Sequence, residues 1–584
     1  MAFYKQLPLS SERPCFRLLE IEPASRPGDA LRATAATYDL NNPCEIDYDA
    51  LSYCWGKPGG TEVVTINGEE FPVMQSLAGA LRQFRALQDD QQKLASMAGR
   101  KLWVDAVCIS QGDNAEKSHQ VALMRDIYAN ARRVFSWLGD ADQHSHLAFD
   151  TLRRFSSVNA REAADVASLL LDEAEERRAA IQRFIRLPYF FRMWIVQEVV
   201  AAKEVTLFWG PHAIDVDAAC AAMERITGSG FYPFSPETAN ISYVRRWRQA
   251  YHARGLSPDG EELDLRLFLD TRDRTATDPR DKIYSLRGIT RERIAAGIQI
   301  DYDDPIRKVY TDFSKHLLRT RPDLQILSAV IIRHAASSSY DLPSYVPDWM
   351  QPKYGGGILQ RYYRFKPTHL FRASGDTKPR ITIADNDQND AVTVEGFRFD
   401  TISRVIPIKS MLTRGEGSRM TVTEAVLYKL AEDAISTAAY PHTGEPAWMA
   451  YFRTLTADRN PLSPRISEGY RSEYFSCFSE FDLQHPSHIP SNLPDSFWEE
   501  ISKTVQDIVE DKDLFVTGNG YIGLGHETCA VDDVVCVFSG GEVPYIVRAA
   551  GEHSYTFLGE CYVHGIMDGE AMDGRGDFEQ FTLV

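Results

Sequence analysis

The chain has 584 residues, 44% of them hydrophobic and 25% charged, enough for about two to four globular domains whose cores need no metal or disulfide staple. A formal charge of −18, from 64 basic and 82 acidic residues, works against nonspecific binding to nucleic acid or to an anionic membrane surface. Nine cysteines without a CxxC pair point to reduced thiols, and the absence of an apolar leader or a bilayer-length apolar run predicts a soluble, cytoplasmic protein with no membrane span.

Residues 15–21 (CFRLLEI) read as a first strand between two prolines, and residues 48–56 (YDALSYCWG) as a second apolar strand. Residues 63–66 and 70–73 flank Asn67-Gly68, a two-residue hairpin signal, and residues 77–87 read as a helix. The central stretch follows, residues 102–139 (LWVDAVCISQGDNAEKSHQVALMRDIYANARRVFSWLG). Its nearly unbroken apolar run over 102–109 predicts a strand buried on both faces. Asp113 followed by Glu116 predicts a capping box, and Val121, Met124, Ile127 and Tyr128 recur at helical spacing. Residues 134–138 make the next strand. This is a βαβ unit, and its polar loop at 110–114 lies where α/β sheets bind ligands, beyond a strand's carboxyl end.

Residues 160–185 read as a charged, solvated helix that Pro188 breaks, and residues 190–202 as a second helix leading into a strand at 205–209. Most of 218–269 reads as helix, and Asp278-Pro279 starts another. Beyond residue 342 the texture changes: 391–405 alternates like strands, 440–494 is loop-rich, and 514–570 carries turn signals at the spacing of a small barrel or sandwich.

GNGYIG at 518–523 matches GxGxxG, but no helix follows to hold a pyrophosphate, so β-turns are predicted. There is no GxxxxGK[ST], HExxH, GxSxG or zinc-spaced Cys/His set. Asp568, Glu570, Asp573 and Asp577 lack EF-hand spacing and read as an exposed acidic turn. Asp105, a carboxylate inside an apolar run, is either a structural hydrogen-bond anchor or a site residue. Trp194 and Glu198 stand four apart, hence on one face, of a helix whose polar residues Arg192, Gln197 and Glu198 are set among Met, Ile, Val and Ala. Glu198 is either half of a buried ion pair with Arg192 or another basic residue, or a site residue.

Four blocks in order, YDALSYCWG, the 102–139 stretch, RMWIVQEV and DPRDKIYSLRGI, resemble the fungal heterokaryon incompatibility (HET) domain. LPSYVPDW and the late segments VVCVFSGGEVPYIVR and LGECYVHGIMDGEA are similar to the C-terminal region of long HET-domain proteins. The resemblance implies nonself recognition and regulated cell death after fusion of unlike fungal cells. It also implies a fold related to the TIR domain, whose NAD-cleaving members use a Glu four residues after a Trp. That Glu falls on Glu198, with Trp194 as its neighbour, and Ser52, Trp55, Asp105, Gln111 and Trp194 are the expected substrate-binding residues.

The fold expected is α/β. After a tail at 1–14 comes a TIR-like, mainly parallel sheet flanked by helices at 15–288. A helical connector at 289–385 and a β-rich domain with a loop-rich insertion at 386–584 follow. Two molecular readings stand side by side. One is an NAD glycohydrolase with Glu198 catalytic, NAD as substrate and neither cofactor nor metal. The other is a non-enzymatic module that assembles with copies of itself or with another incompatibility protein.

Overall fold

The computed structural model describes residues 2–584 apart from 11, 25, 27, 43–45, 57–59, 87–100, 160, 171–172, 234, 254–259, 332–339, 352–369, 384–389, 409–438, 446, 459–504, 506–507, 510 and 574–576. Most of the expected loop-rich insertion, from 459 on, therefore lies outside the described residues. The chain forms two compact units, Met1–Pro305 and Ile306–Val584.

The first unit is built on a nine-stranded sheet: β1 (Cys15–Ile21), β2 (Leu31–Asp39), β3 (Tyr48–Tyr53), β4 (Thr61–Ile66), β5 (Glu69–Met74), β6 (Lys101–Trp103), β7 (Val134–Trp137), β8 (Val205–Trp209) and β9 (His212–Asp215). Their spatial order is β5-β4-β2-β1-β6-β3-β7-β8-β9. Strands β6, β3, β7 and β8 are parallel neighbours. Every residue of β3 and β7 is buried, as a central parallel strand covered on both faces requires. The three apolar segments at 102–109, 134–138 and 205–209 thus share one sheet. That sheet is not mainly parallel, however. Antiparallel pairs β1–β2, β1–β6, β4–β5 and β8–β9 match the parallel pairs in number. Short hairpin links such as Asn67-Gly68, with φ of 51° and 83°, permit only antiparallel return.

Helix α1 (Asn114–Asn130) buries Val121, Met124, Ile127 and Tyr128, each side chain contributing about 1.5–3 kcal/mol. Tyr128 donates to the Leu51 carbonyl (3.1 Å) and Tyr48 to that of Ile127 (2.5 Å), tying α1 to β3. Asp113 caps α1 by accepting from the Glu116 amide (3.1 Å). The expected reciprocal half of the capping box does not form. Glu116 instead accepts from the Ser110 amide (2.7 Å) and from the fully buried Arg17 (2.7 and 2.9 Å). A buried guanidinium without a carboxylate is the costlier vacancy, so it captures Glu116.

Two further expectations are corrected. The strand over 102–109 ends at Trp103, and Asp105–Cys108 is a helical turn. The Asp105 carboxylate accepts from its neighbour's amide at Ala106 (2.7 Å), and Cys108 N–H returns to the Val104 carbonyl (2.7 Å). An apolar run cannot by itself distinguish strand from buried turn. The helix over 190–202 is likewise shorter. A 3₁₀ turn at Pro188–Phe191 leads to an extended Arg192 that bridges Thr275, and only then does helix α2 (Ile195–Ala201) begin, with Trp194 as its N-cap.

The second unit holds β10 (Ile381–Ile383), β11 (Val392–Ile406), β12 (Lys512–Thr517), β13 (Ile522–His526), β14 (Val534–Phe538), β15 (Tyr545–Ala549), β16 (Ser554–Glu560), β17 (Tyr562–Val563) and β18 (Glu579–Leu583). The order β14-β15-β16-β18-β11, with β11 pairing back onto β14, closes a barrel; β12, β13 and β17 extend from β11. Bulges at 398–400 and 402–404 let the 15-residue β11 turn from one partner to the next. Phe397, Phe515, Val535, Val537, Ile546 and Leu558 fill the interior. Residues 518–520 are the turn of the β12–β13 hairpin, with Gly520 at φ 85°, as expected for GNGYIG.

Candidate functional site

Strand β3 ends in Ser52 and Tyr53, and the chain runs on through Cys54 to Trp55. Neighbouring β6 ends just before Asp105. Both lie at the carboxyl edge of the parallel part of the sheet, the edge where α/β folds place ligands. Helix α2 brings Glu198 to the same edge, 1% exposed. Ser52 donates to the Glu198 Oε2 at 2.5 Å. Ser52 Oγ also contacts the Tyr189 hydroxyl (2.8 Å), which donates to Ser136 Oγ (2.8 Å). With Glu198 ionised, the Ser52 proton goes to the carboxylate and the Tyr189 proton to Ser136, so the Ser52–Tyr189 contact has no proton. A protonated Glu198 supplies the missing one.

The surroundings favour that proton. Burial pushes the Glu198 carboxyl up from 4.5 to about 7; Arg192 opposes the rise, Asp105 adds to it, and the Ser52 hydrogen bond opposes it. Burial also raises Asp105, against Arg192 and hydrogen bonds from Trp55 and Ala106. Burial works against the charge on Arg192, but Glu198 and Asp105 outweigh it and raise its pKa. Two carboxyl groups and one half-buried guanidinium therefore act as one electrostatic cluster.

Trp55, 36% exposed, donates its indole N–H to Asp105 Oδ2 (2.9 Å), and Gln111 donates to the Asp105 carbonyl (3.1 Å). Ser52 and Glu198 thus form one hydrogen-bonded set and Trp55, Asp105 and Gln111 another, coupled through space by the two carboxyl groups. Trp194 turns to another partner: its indole donates to Asp281 Oδ2 (2.9 Å), whose other oxygen accepts from Tyr302 (2.6 Å). Burial lifts Asp281 to about 6. The DPRDKIY block therefore anchors the start of α2. Lys282 extends this anchor by donating to the Arg272 carbonyl at 2.7 Å.

Tyr189 and Ser136 were not foreseen from the sequence. Ser136, the one polar residue in the buried strand VFSW, was the available signal. Among the described residues no group of three or more His, Cys, Asp or Glu side chains could hold a metal ion, and no helix among them is long and apolar enough to cross a membrane. Chemically, the cluster offers a carboxyl group whose proton is exchangeable near neutrality, in a low-dielectric setting where developing positive charge is strongly felt.

Residues 48–198 match the family model "Heterokaryon incompatibility protein (HET)", and residues 470–584 match "Het-6 beta-barrel domain". The first of these matched segments contains Ser52, Trp55, Asp105, Gln111, Trp194 and Glu198. The chain is similar throughout to heterokaryon incompatibility protein 6, OR allele, of Neurospora crassa, at 25% identity over 100% of this chain and 98% of that protein. No solved structure matches the chain.

Proposed function

We propose that the chain is a fungal incompatibility protein that triggers regulated cell death on nonself recognition, and that its TIR-like first unit acts in the cytoplasm by cleaving the nicotinamide–ribose bond of NAD. One observation carries the chemical part: Glu198, Ser52, Asp105 and Arg192 gather at the carboxyl edge of strands β3 and β6, with the Glu198 pKa raised to about 7.

The chemistry suits these groups. When the bond breaks, nicotinamide leaves with the bonding electron pair as a neutral molecule, and the ribose becomes oxocarbenium-like. An ionised Glu198 faces that cation. The water that then adds to the ribose loses one proton, and a carboxylate whose conjugate acid lies near 7 is matched to accept it. The exposed Trp55 orients the substrate by stacking, with the buried Asp105 behind it as its hydrogen-bond partner. Glu198 is 1% exposed, so the resting arrangement must open before a ligand reaches it.

The near-complete burial of Glu198 favours the second reading, a module that signals through assembly with itself or with another incompatibility protein and does no chemistry. Expression of wild type and Glu198→Gln in fungal cells separates the two. The enzymatic reading expects death with wild type and survival with the variant at equal protein level. Death with both leaves the assembly reading standing alone.

A further inference from the structure

Ser52 on β3 and Ser136 on β7 are register partners on adjacent parallel strands, so both hydroxyls stand on the same face of the sheet. The Tyr189 hydroxyl bridges them, 2.8 Å from each. Its backbone is fixed on the far side. Tyr189 lies in the 3₁₀ turn Pro188–Phe191, where the buried Arg274 donates to the Phe190 carbonyl (2.7 Å) and to that of Asn240 (2.6 Å), and the Thr275 hydroxyl donates to the Phe191 carbonyl (3.0 Å). The Tyr189 ring meets that of Phe190 edge-on at 5.5 Å. Ser52, Ser136 and Tyr189 are all buried, so their hydroxyls exchange partners among themselves and with Glu198, not with bulk water.

The row from Glu198 Oε2 through Ser52 and Tyr189 to Ser136 has four oxygens and three contacts, which need three protons. Ser52 and Tyr189 supply one each. Ser136 stands toward Tyr189 as an acceptor, so the third proton is that of Glu198. Glu198 then donates to Ser52, Ser52 to Tyr189 and Tyr189 to Ser136. Ionisation of Glu198 leaves two oxygens in contact with no proton between them, which costs as much as an unmade buried hydrogen bond. Among the described residues, the other charged or titratable groups facing Glu198 are Arg192, Asp105, Tyr53 and Tyr128. Arg248, packed on α2 from the helix Pro236–His252, spends its donors on Asp217 and on the carbonyls of Val199, Ala202 and Lys203.

We propose that Tyr189 is a positioning residue: bridging Ser52 and Ser136, it turns the Ser52 proton away from Glu198 and so keeps a proton on that carboxyl until the row breaks at the Ser52–Tyr189 contact. Its part in the reaction rests on the NAD reading above, in which the ionised carboxyl is the working form. Tyr189 then sets the pH above which that form exists, without touching the substrate.

Infrared difference spectra of the full chain between about pH 5 and 9 follow the protonated carboxyl, and the Glu198 band is the one lost in Glu198→Gln. Wild type should lose it near pH 7, the value to which burial lifts the carboxyl. Tyr189→Phe leaves one contact in the row and Ser136→Ala leaves two, and in each the remaining hydroxyl protons suffice without that of Glu198. The band should therefore vanish about one pH unit lower in both variants, a tenfold shift in ionisation. Each variant removes a single buried oxygen atom, and near-ultraviolet circular dichroism checks the fold before titration. Ser136 has no bond to Glu198, so a purely structural part for these hydroxyls would leave the titration where it is. In the NAD assay the acid limb of the rate should move by the same amount. A shifted band without NAD cleavage would defeat the NAD reading and leave the role of Tyr189 standing. A band that vanishes at the wild-type pH or higher in either folded variant, or a wild-type Glu198 already ionised at about pH 5, overturns the inference.

Discussion

Replacing Glu198 by Gln separates two physical descriptions of the same residue. If Glu198 is held by a charged pair with Arg192, removing its charge strands a half-buried guanidinium and costs about 3–5 kcal/mol. Burial instead raises its pKa from 4.5 to about 7, which reverses the sign. Below pH 4.5 the side chain is neutral in both folded and unfolded chains, and the raised pKa has no effect on stability. Between about 4.5 and 7 the unfolded chain ionises while the folded one resists, so stability falls as pH rises. Above 7 the deficit is constant at about 3 kcal/mol, from about 1.4 kcal/mol per pH unit of that gap. Glu198 is fully buried, so solvent screening does not reduce this figure. The Gln amide is neutral at every pH and can still bond Ser52. Glu198→Gln should therefore stabilise the first unit by about 3 kcal/mol at pH 8 and change it little at pH 4.5. Urea titration read by tryptophan fluorescence at the two pH values measures this, as a midpoint gain of about 1 M for an m-value near 3 kcal/mol/M. A variant less stable than wild type at pH 8 would refute the reasoning and restore the ion pair.

Glu116→Ala leaves the fully buried Arg17 without its carboxylate, and denaturant unfolding should show a loss of about 3–5 kcal/mol in the first unit. Trp194→Phe removes the indole N–H that Asp281 accepts; a loss of about 1–3 kcal/mol is expected, with faster amide exchange in α2 than in β7 as the local readout. Gly396→Ala places a Cβ 2.6 Å from the Val537 carbonyl oxygen, so the barrel should lose about 1–3 kcal/mol by thermal melting, with the first unit unaffected. If Glu198 acts as a carboxylate, the rate of NAD cleavage should rise with pH through about 7, the value to which burial lifts it.

Much of the first unit was readable where one force dominates. The apolar strands at 134–138 and 205–209 and the buried face of α1 follow from periodicity alone, because burial of those side chains is their main source of stability. Boundaries were lost where polar groups compete with that pattern. Asp105 ends a strand by bonding a backbone amide one residue away, and Glu116 abandons the cap of α1 for Arg17, 99 residues distant in sequence. The same holds for the site. Ser52, Asp105 and Glu198 stood out as polar residues in apolar runs, whereas Tyr189 and Ser136 enter only through the three-dimensional row of hydroxyls. The anchoring of Trp194 by Asp281 joins two sequence blocks that nothing in either block links. The sheet's antiparallel half was underestimated because edge strands with hairpin turns were read one by one and not as members of the central sheet.

The proposed chemistry stands or falls on incubation of the purified full chain with NAD, with free nicotinamide as the readout, across a range of protein concentrations and alongside Glu198→Gln. Nicotinamide release that climbs with protein concentration and vanishes in a folded Glu198→Gln variant is the result expected. Release that is equal in the two proteins, or absent from wild type at every concentration while wild type still kills fungal cells, would contradict it.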